Sequence, residues 1–240
     1  MKNLIVLGVL LLPLFSLAQD DDSEGRAAIS SDQLVEKRGL NYKYESETPY
    51  TGLVRDVYPN GQKEFETNFV NGKQDGPMTS WYENGWIKSE ANLINNIRDG
   101  PAAEWYANGQ KKTEADYSND KEEGPWMQWY ASGQKEAEAN FVNGKLNGVA
   151  MAWHANGQKK TEANFVNGKR EGPMTQWYEN GQNKTDGNWV DGKQDGPWTV
   201  WHDNGQWEFK GIYRNGKLRR GAQWWDENGN MKKRPDIMTW

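Results

Sequence analysis

From Thr51 onward the chain breaks into apolar and polar positions that alternate over five to eight residues, each run bounded by glycine and asparagine. Runs that short predict strands, because a helix needs a longer uninterrupted periodic stretch. The punctuation itself is periodic. Gly61, Gly85, Gly109, Gly133, Gly157, Gly181, Gly205 and Gly229 recur every 24 residues, each preceded by Asn except at Ser132. Trp81, Trp105, Trp129, Trp153, Trp177, Trp201 and Trp225 stand four residues before the last seven of these glycines, and Val57 takes that place in the first copy. A second turn recurs at Asn71-Gly72, Asn143-Gly144, Asn167-Gly168, Asp191-Gly192 and Asn215-Gly216, with Asn96 and Asp120 replacing its glycine in two copies. A third glycine follows at Gly76, Gly100, Gly124, Gly148, Gly172 and Gly196, usually beside proline.

One unit therefore reads strand, turn, strand, turn. A two-residue turn at Asn84-Gly85 would pair Trp81 with Lys88. A three-residue loop, Glu83-Asn84-Gly85, with glycine left-handed in a bulge, pairs Trp81 with Ile87 instead. Pro59 decides for the longer loop, since it suits the second position of a type I turn. Simple alternation from that pair puts Trp81, Thr79, Ser89, Ala91 and Leu93 on one face, and Tyr82, Ser80, Met78, Lys88, Glu90 and Asn92 on the other.

Carried along the chain, the first face is the expected core: the seven Trp with Phe69, Phe141 and Phe165, interleaved with small residues such as Ala115 and Ala163. The second face carries Tyr58, Tyr82, Tyr106, Tyr130, His154, Tyr178 and His202 with Glu90, Glu114, Glu138 and Glu162, and is the expected partner surface. The fold class is all-β: a linear repeat array of about eight 24-residue antiparallel hairpins in a single elongated, twisted meander sheet. About sixteen strands at roughly 4.8 Å each give a length of about 75 Å.

The ends depart from the repeat. Residues 1–18 read as a signal peptide, with Lys2 before the apolar run Leu4 to Leu14 and a small-residue cleavage site at Ser16-Leu17-Ala18. Residues 19–33 form an acidic flexible leader, 34–52 a capping hairpin, 53–230 the repeats and 231–240 a C-terminal cap. The protein is thus expected to be exported by a bacterium to the periplasm or medium, with no stable membrane insertion after cleavage.

Composition narrows the chemistry. Only 35% of residues are apolar, yet there are 14 Trp and 26 Gly, which fits a thin aromatic-lined sheet better than a thick core. With Cys 0, thiolate chemistry and disulfides are excluded. A net charge of −5 offers no basic footprint for nucleic acid. His154 and His202 occupy a slot filled elsewhere by Tyr, so they read as aromatic replacements. Equivalent carboxylates from Glu66 to Glu162 would lie about 10 Å apart, two strand spacings, too far to share a metal or act as an acid–base pair. Every glycine is assigned to a hairpin turn, leaving none for a phosphate loop. No enzyme, metal or cofactor is expected.

The unit Trp177-Tyr178-Glu179-Asn180-Gly181-Gln182, with Asn164-Phe165-Val166-Asn167-Gly168-Lys169 as its second turn, closely resembles MORN-type repeats. It is most similar to the bacterial variant found in YwqK-family antitoxins, and Leu34-Val35-Glu36, Gly39-Leu40-Asn41-Tyr42 and Pro49-Tyr50-Thr51-Gly52 resemble that family's opening segment. The resemblance covers roughly residues 34–232. It implies a binding scaffold whose partner is a protein, a toxin in the family's sense. The acidic balance points to a basic one. The alternatives are a cell-wall glycan-binding module that uses the Trp ladder, and a structural spacer in the envelope.

Overall fold

The computed structural model describes residues 27–233. The signal peptide, the first part of the leader and residues 234–240 of the C-terminal cap lie outside the described residues. From Gly52 to Lys232 each strand pairs antiparallel with its neighbour in sequence, and among the described residues no pairing joins the last strand to the first. The result is one open sheet of eighteen strand segments. Two of these, Lys145–Leu146 and Lys217–Leu218, continue into Gly148–Trp153 and Gln223–Trp225 past a local break.

The two turns behave as the residues dictate. In the first, Gly85 N–H donates to the Tyr82 carbonyl and Tyr82 N–H to the Trp86 carbonyl, both at 2.8 Å, and Gly85 has φ 85. Trp81 accordingly pairs with Ile87. In the second, Asn71 (φ 50) and Gly72 (φ 80) are both left-handed, the two-residue geometry that matches strand twist. Asn96 and Asp120 hold φ 71 and 62 without being glycine; these are the side chains that best tolerate that region.

Beyond the first turn the structure corrects the expected faces. Trp81 pairs with Ile87, but Ser80 pairs with Ser89 and Met78 with Ala91, so Lys88 is an extra residue on its strand. This bulge shifts the register by one and exchanges the partners of the whole second strand. Met78, Ser80 and Tyr82 therefore share a face with Ser89, Ala91 and Leu93. The Trp column shares the other face with Thr79, Glu90 and Asn92. The Ser80–Ser89 hydroxyl contact at 2.7 Å and the contact of Lys111 with both Glu114 and the Trp129 ring fix this assignment.

The buried core follows the corrected register. Ala163, Met174, Trp198 and Phe209 form its densest cluster, with Phe165, Trp189 and Tyr213 against it. Trp198 meets Trp189 and Tyr213 edge-on, at 5.6 and 5.8 Å between ring centres. Gly187 leaves the space that the Trp198 ring fills. Of the residues expected as core, Phe69 is buried and Phe141 and Phe165 are half-buried on this face, whereas all seven Trp are half-buried on the opposite one. The third glycine is not a hairpin turn either. Gly76 (φ 105) and Gly100 (φ 109) lie inside the strands Lys73–Trp81 and Ile97–Trp105. There the register shifts again, opposite Asn92, whose amide donates to the Asp99 carbonyl at 2.8 Å.

At the N-terminal end the strands Leu34–Lys37 and Leu40–Lys43 form the expected hairpin, but it docks on the Gly72 turn through Asn41 rather than on the sheet edge. The free edge of Gly52–Val57 is met by Ile29, which bridges Val54 in parallel. Ser30 and Ser31 hold the Asp56 carboxylate at 2.9 and 2.8 Å. The end of the leader, Ile29 to Ser31, therefore covers this edge. At the other end Met231–Lys232 pairs with Trp225 and Trp224.

Candidate functional site

The Tyr row, expected to face a partner, is committed to the array. Tyr58, Tyr82, Tyr106, Tyr130 and Tyr178 donate their hydroxyls to the carbonyls of Trp81, Trp105, Trp129, Trp153 and Trp201, at 2.6 to 2.9 Å. His154 and His202 reach Trp177 and Trp225 in the same way through Nε2, at 3.0 and 3.2 Å. A carbonyl only accepts, so Nε2 carries the proton in both. Each ring thus satisfies a strand-end carbonyl one unit further on. The turn asparagines repeat the device: Asn84 Nδ2 donates to the Ala107 carbonyl and Asn108 Nδ2 to that of Ala131, at 3.0 and 2.8 Å. On the opposite edge Asp75, Asp99, Glu123, Glu171 and Asp195 accept the turn N–H of the next unit, at 2.7 to 3.2 Å.

Glu114, Glu138 and Glu162 sit instead with the Trp column, and Glu66 joins them. Lys111, Lys135 and Lys159 bind these three glutamates at 2.9, 2.6 and 2.6 Å and lie over Trp129, Trp153 and Trp177. Lys63 does the same for Glu66 and Trp81. One face therefore presents a ladder of Trp, Lys and Glu, half-exposed along its length. Among the described residues no group of three or more His, Asp or Glu is placed to hold a metal.

The other face carries a trough of about 350 Å³ at mid-array. Its floor is Ala137, Ala139, Ala150, Ala152 and Ala163, and its walls include Trp126 with Phe141 on one side and Phe165 with Arg170 on the other. It exists because Ala150 and Ala152 occupy columns that hold Met174 and Gln176 in the next unit. Which side chains share this trough depends on the bulges at Glu136 and Lys160, the counterparts of that at Lys88.

Seven successive stretches, residues 50–71, 74–95, 98–119, 122–143, 146–167, 170–191 and 194–215, match the MORN repeat variant. The chain belongs to that family. Each match spans the three-residue loop and ends on the first residue of the two-residue turn, and the last stops short of Gly221, where this MORN array loses its regular period. No curated protein sequence matches the chain. As a MORN repeat protein it is a repeat scaffold, and its Tyr, His and turn Asn positions are the joints of that scaffold.

Proposed function

We propose that this chain is an exported, non-enzymatic scaffold whose sheet binds a basic partner protein, in the antitoxin or immunity role that the family resemblance implies. One observation carries the reading. Among the described residues the sheet is a single layer, so the Trp-Lys-Glu face stands uncovered along the whole array. Such a face presents the same side chains at regular intervals, which suits recognition of an extended surface. With a net charge of −5 it favours encounter with a basic protein. A toxin held by an exported chain acts in the envelope.

A glycan reading is weaker on this geometry. Four Trp rings already carry a lysine ammonium where a sugar would stack. Among the described residues no catalytic centre is visible: Glu66, Glu114, Glu138 and Glu162 are engaged by lysines and both histidines by carbonyls. The test is affinity capture from the native envelope with residues 19–240 as bait. Recovery of one basic protein, lost when Glu114 and Glu138 are changed to Lys, supports the scaffold. Retention of glycan alone, or of the same protein by the reversed-charge variant, refutes it.

A further inference from the structure

The lysine of the ladder is replaced before three rings, Trp105, Trp201 and Trp225. Trp81, Trp129, Trp153 and Trp177 each carry a lysine at 5.5 to 5.9 Å from the ring centre. The same ammonium binds the glutamate three residues on, at 2.6 to 3.2 Å. At two of the three replaced positions the residue keeps a partner of its own, the Trp225 ring before Trp225 and Asp186 before Trp201. Trp207 packs on Trp225 at 5.7 Å, and Asn183, which stands in the lysine position before Trp201, donates to Asp186 at 3.4 Å. At Trp105 the lysine position belongs to Ile87, and the glutamate three residues on is Glu90.

The adjacent residue departs from the repeat as well. Trp86 stands where six other units have Gln. Its ring lies over Gly109 of the next turn, in contact too close for any side chain at that glycine. Asn84, Gly85, Trp86, Ile87, Trp105 and Gly109 line a surface cleft of about 490 Å³. Burial pushes the Glu90 carboxyl up, with Lys111 of the following unit pulling the other way. Its carboxylate thus gains from a cation more than a solvated one would.

We propose that this cleft binds an alkylammonium group, a lysine side chain offered by a basic partner, with the ammonium between the Trp105 ring and the Glu90 carboxylate. The identity of that partner rests on the scaffold reading above. The chain itself displays the recognition chemistry four times over: Trp and Glu in these columns hold a lysine ammonium wherever the repeat supplies one. Ile87 is too short and apolar to do so, and together with Trp86 it offers a surface for a lysine stem, which packs on apolar groups while its head stays polar.

The probe is acetyl-pentalysine amide, added to the full isotope-labelled chain while the indole N–H signals are followed. The expected result is a saturable shift at Trp105 and Trp86, none at Trp129, and a fall in the Glu90 titration midpoint. Ile87→Lys restores the residue found in four other units, so it should fold normally and abolish the response. Glu90→Gln should weaken it about tenfold, the loss of roughly 1.4 kcal/mol. Lys111→Ile should open a second response at Trp129. Equal shifts from a peptide with every lysine acetylated, an undiminished response in Ile87→Lys, or no response at millimolar probe would overturn the proposal. Capture with wild type and Ile87→Lys separates the two readings. A partner retained equally by both keeps the scaffold and removes the cleft. A pentalysine response with no captured protein keeps the cleft and removes the partner.

Discussion

Changing Tyr82, Tyr106 and Tyr130 together to Phe asks whether the Tyr row joins repeats or faces a partner. Each substitution keeps the ring and deletes one hydroxyl bond, to Trp105, Trp129 and Trp153 respectively, at 2.7 to 2.9 Å. A half-buried bond of this kind contributes about 1 kcal/mol net, because the hydroxyl and the carbonyl both regain water on unfolding. Equivalent positions lie about 10 Å apart, so the three losses should add. The triple variant should therefore lose about 3 kcal/mol, and for a chain of this size the melting temperature should fall by roughly 6 to 12 °C. Urea unfolding followed by Trp fluorescence measures it directly, as a lower midpoint at unchanged slope. Binding of any captured partner should survive wherever the protein stays folded. An unchanged midpoint with lost partner binding would refute the structural assignment and return the row to the partner surface.

Three further outcomes follow from the same joints and core. Ser132 is the one turn position without Asn, and its hydroxyl reaches Gln134 N–H only at 3.5 Å. Ser132→Asn should add the missing tether to the next turn and raise stability by about 0.5 to 1 kcal/mol, read as a higher urea midpoint. Gly187→Ala places a methyl in the Trp198 ring. It should cost about 1 to 3 kcal/mol by overpacking and perturb the near-ultraviolet circular dichroism of the Trp198 cluster. Burial alone would raise the Asp56 carboxyl, but the hydrogen bonds from Ser31 and Ser30 outweigh it and hold it below the usual value. A depressed carboxyl stabilises above its unfolded pKa, and that contribution is lost as pH falls through the folded one. Amide exchange at Ile29 and Arg55 should therefore accelerate selectively below about pH 4; protection independent of pH would refute the Asp56 anchor.

Much of this was readable from spacing. The period, the three-residue loop at Glu83-Asn84-Gly85 and the pairing of Trp81 with Ile87 follow from glycine, asparagine and Pro59. The face assignment did not follow, because a second irregularity comes directly after the first. The signal lay in adjacent polar residues such as Lys111-Lys112 and Lys135-Glu136, which break the alternation just where the extra residue sits. The in-strand role of Gly76 and Gly100 was hidden for a related reason. A left-handed glycine reads the same in sequence whether it turns the chain or bulges it. The Tyr tethers join residues 23 apart in sequence, so only the packing of successive units exposes them. The Ile87 and Trp86 departures were visible as letters. Their meaning required knowing which ring each lysine covers.

Because nearly every joint links one unit to the next at the same offset throughout, the array is indifferent to how many units it holds. Excising one full period, residues 98–121 for instance, would bring together ends that already match in turn, tether and face. The sheet would shorten by about 10 Å, two strand spacings, without a new kind of contact. Such a molecule works as a ruler graduated in whole periods. Its reach can be reset by recombination between copies, while the specificity written into a single odd graduation such as Trp86-Ile87 travels with that unit.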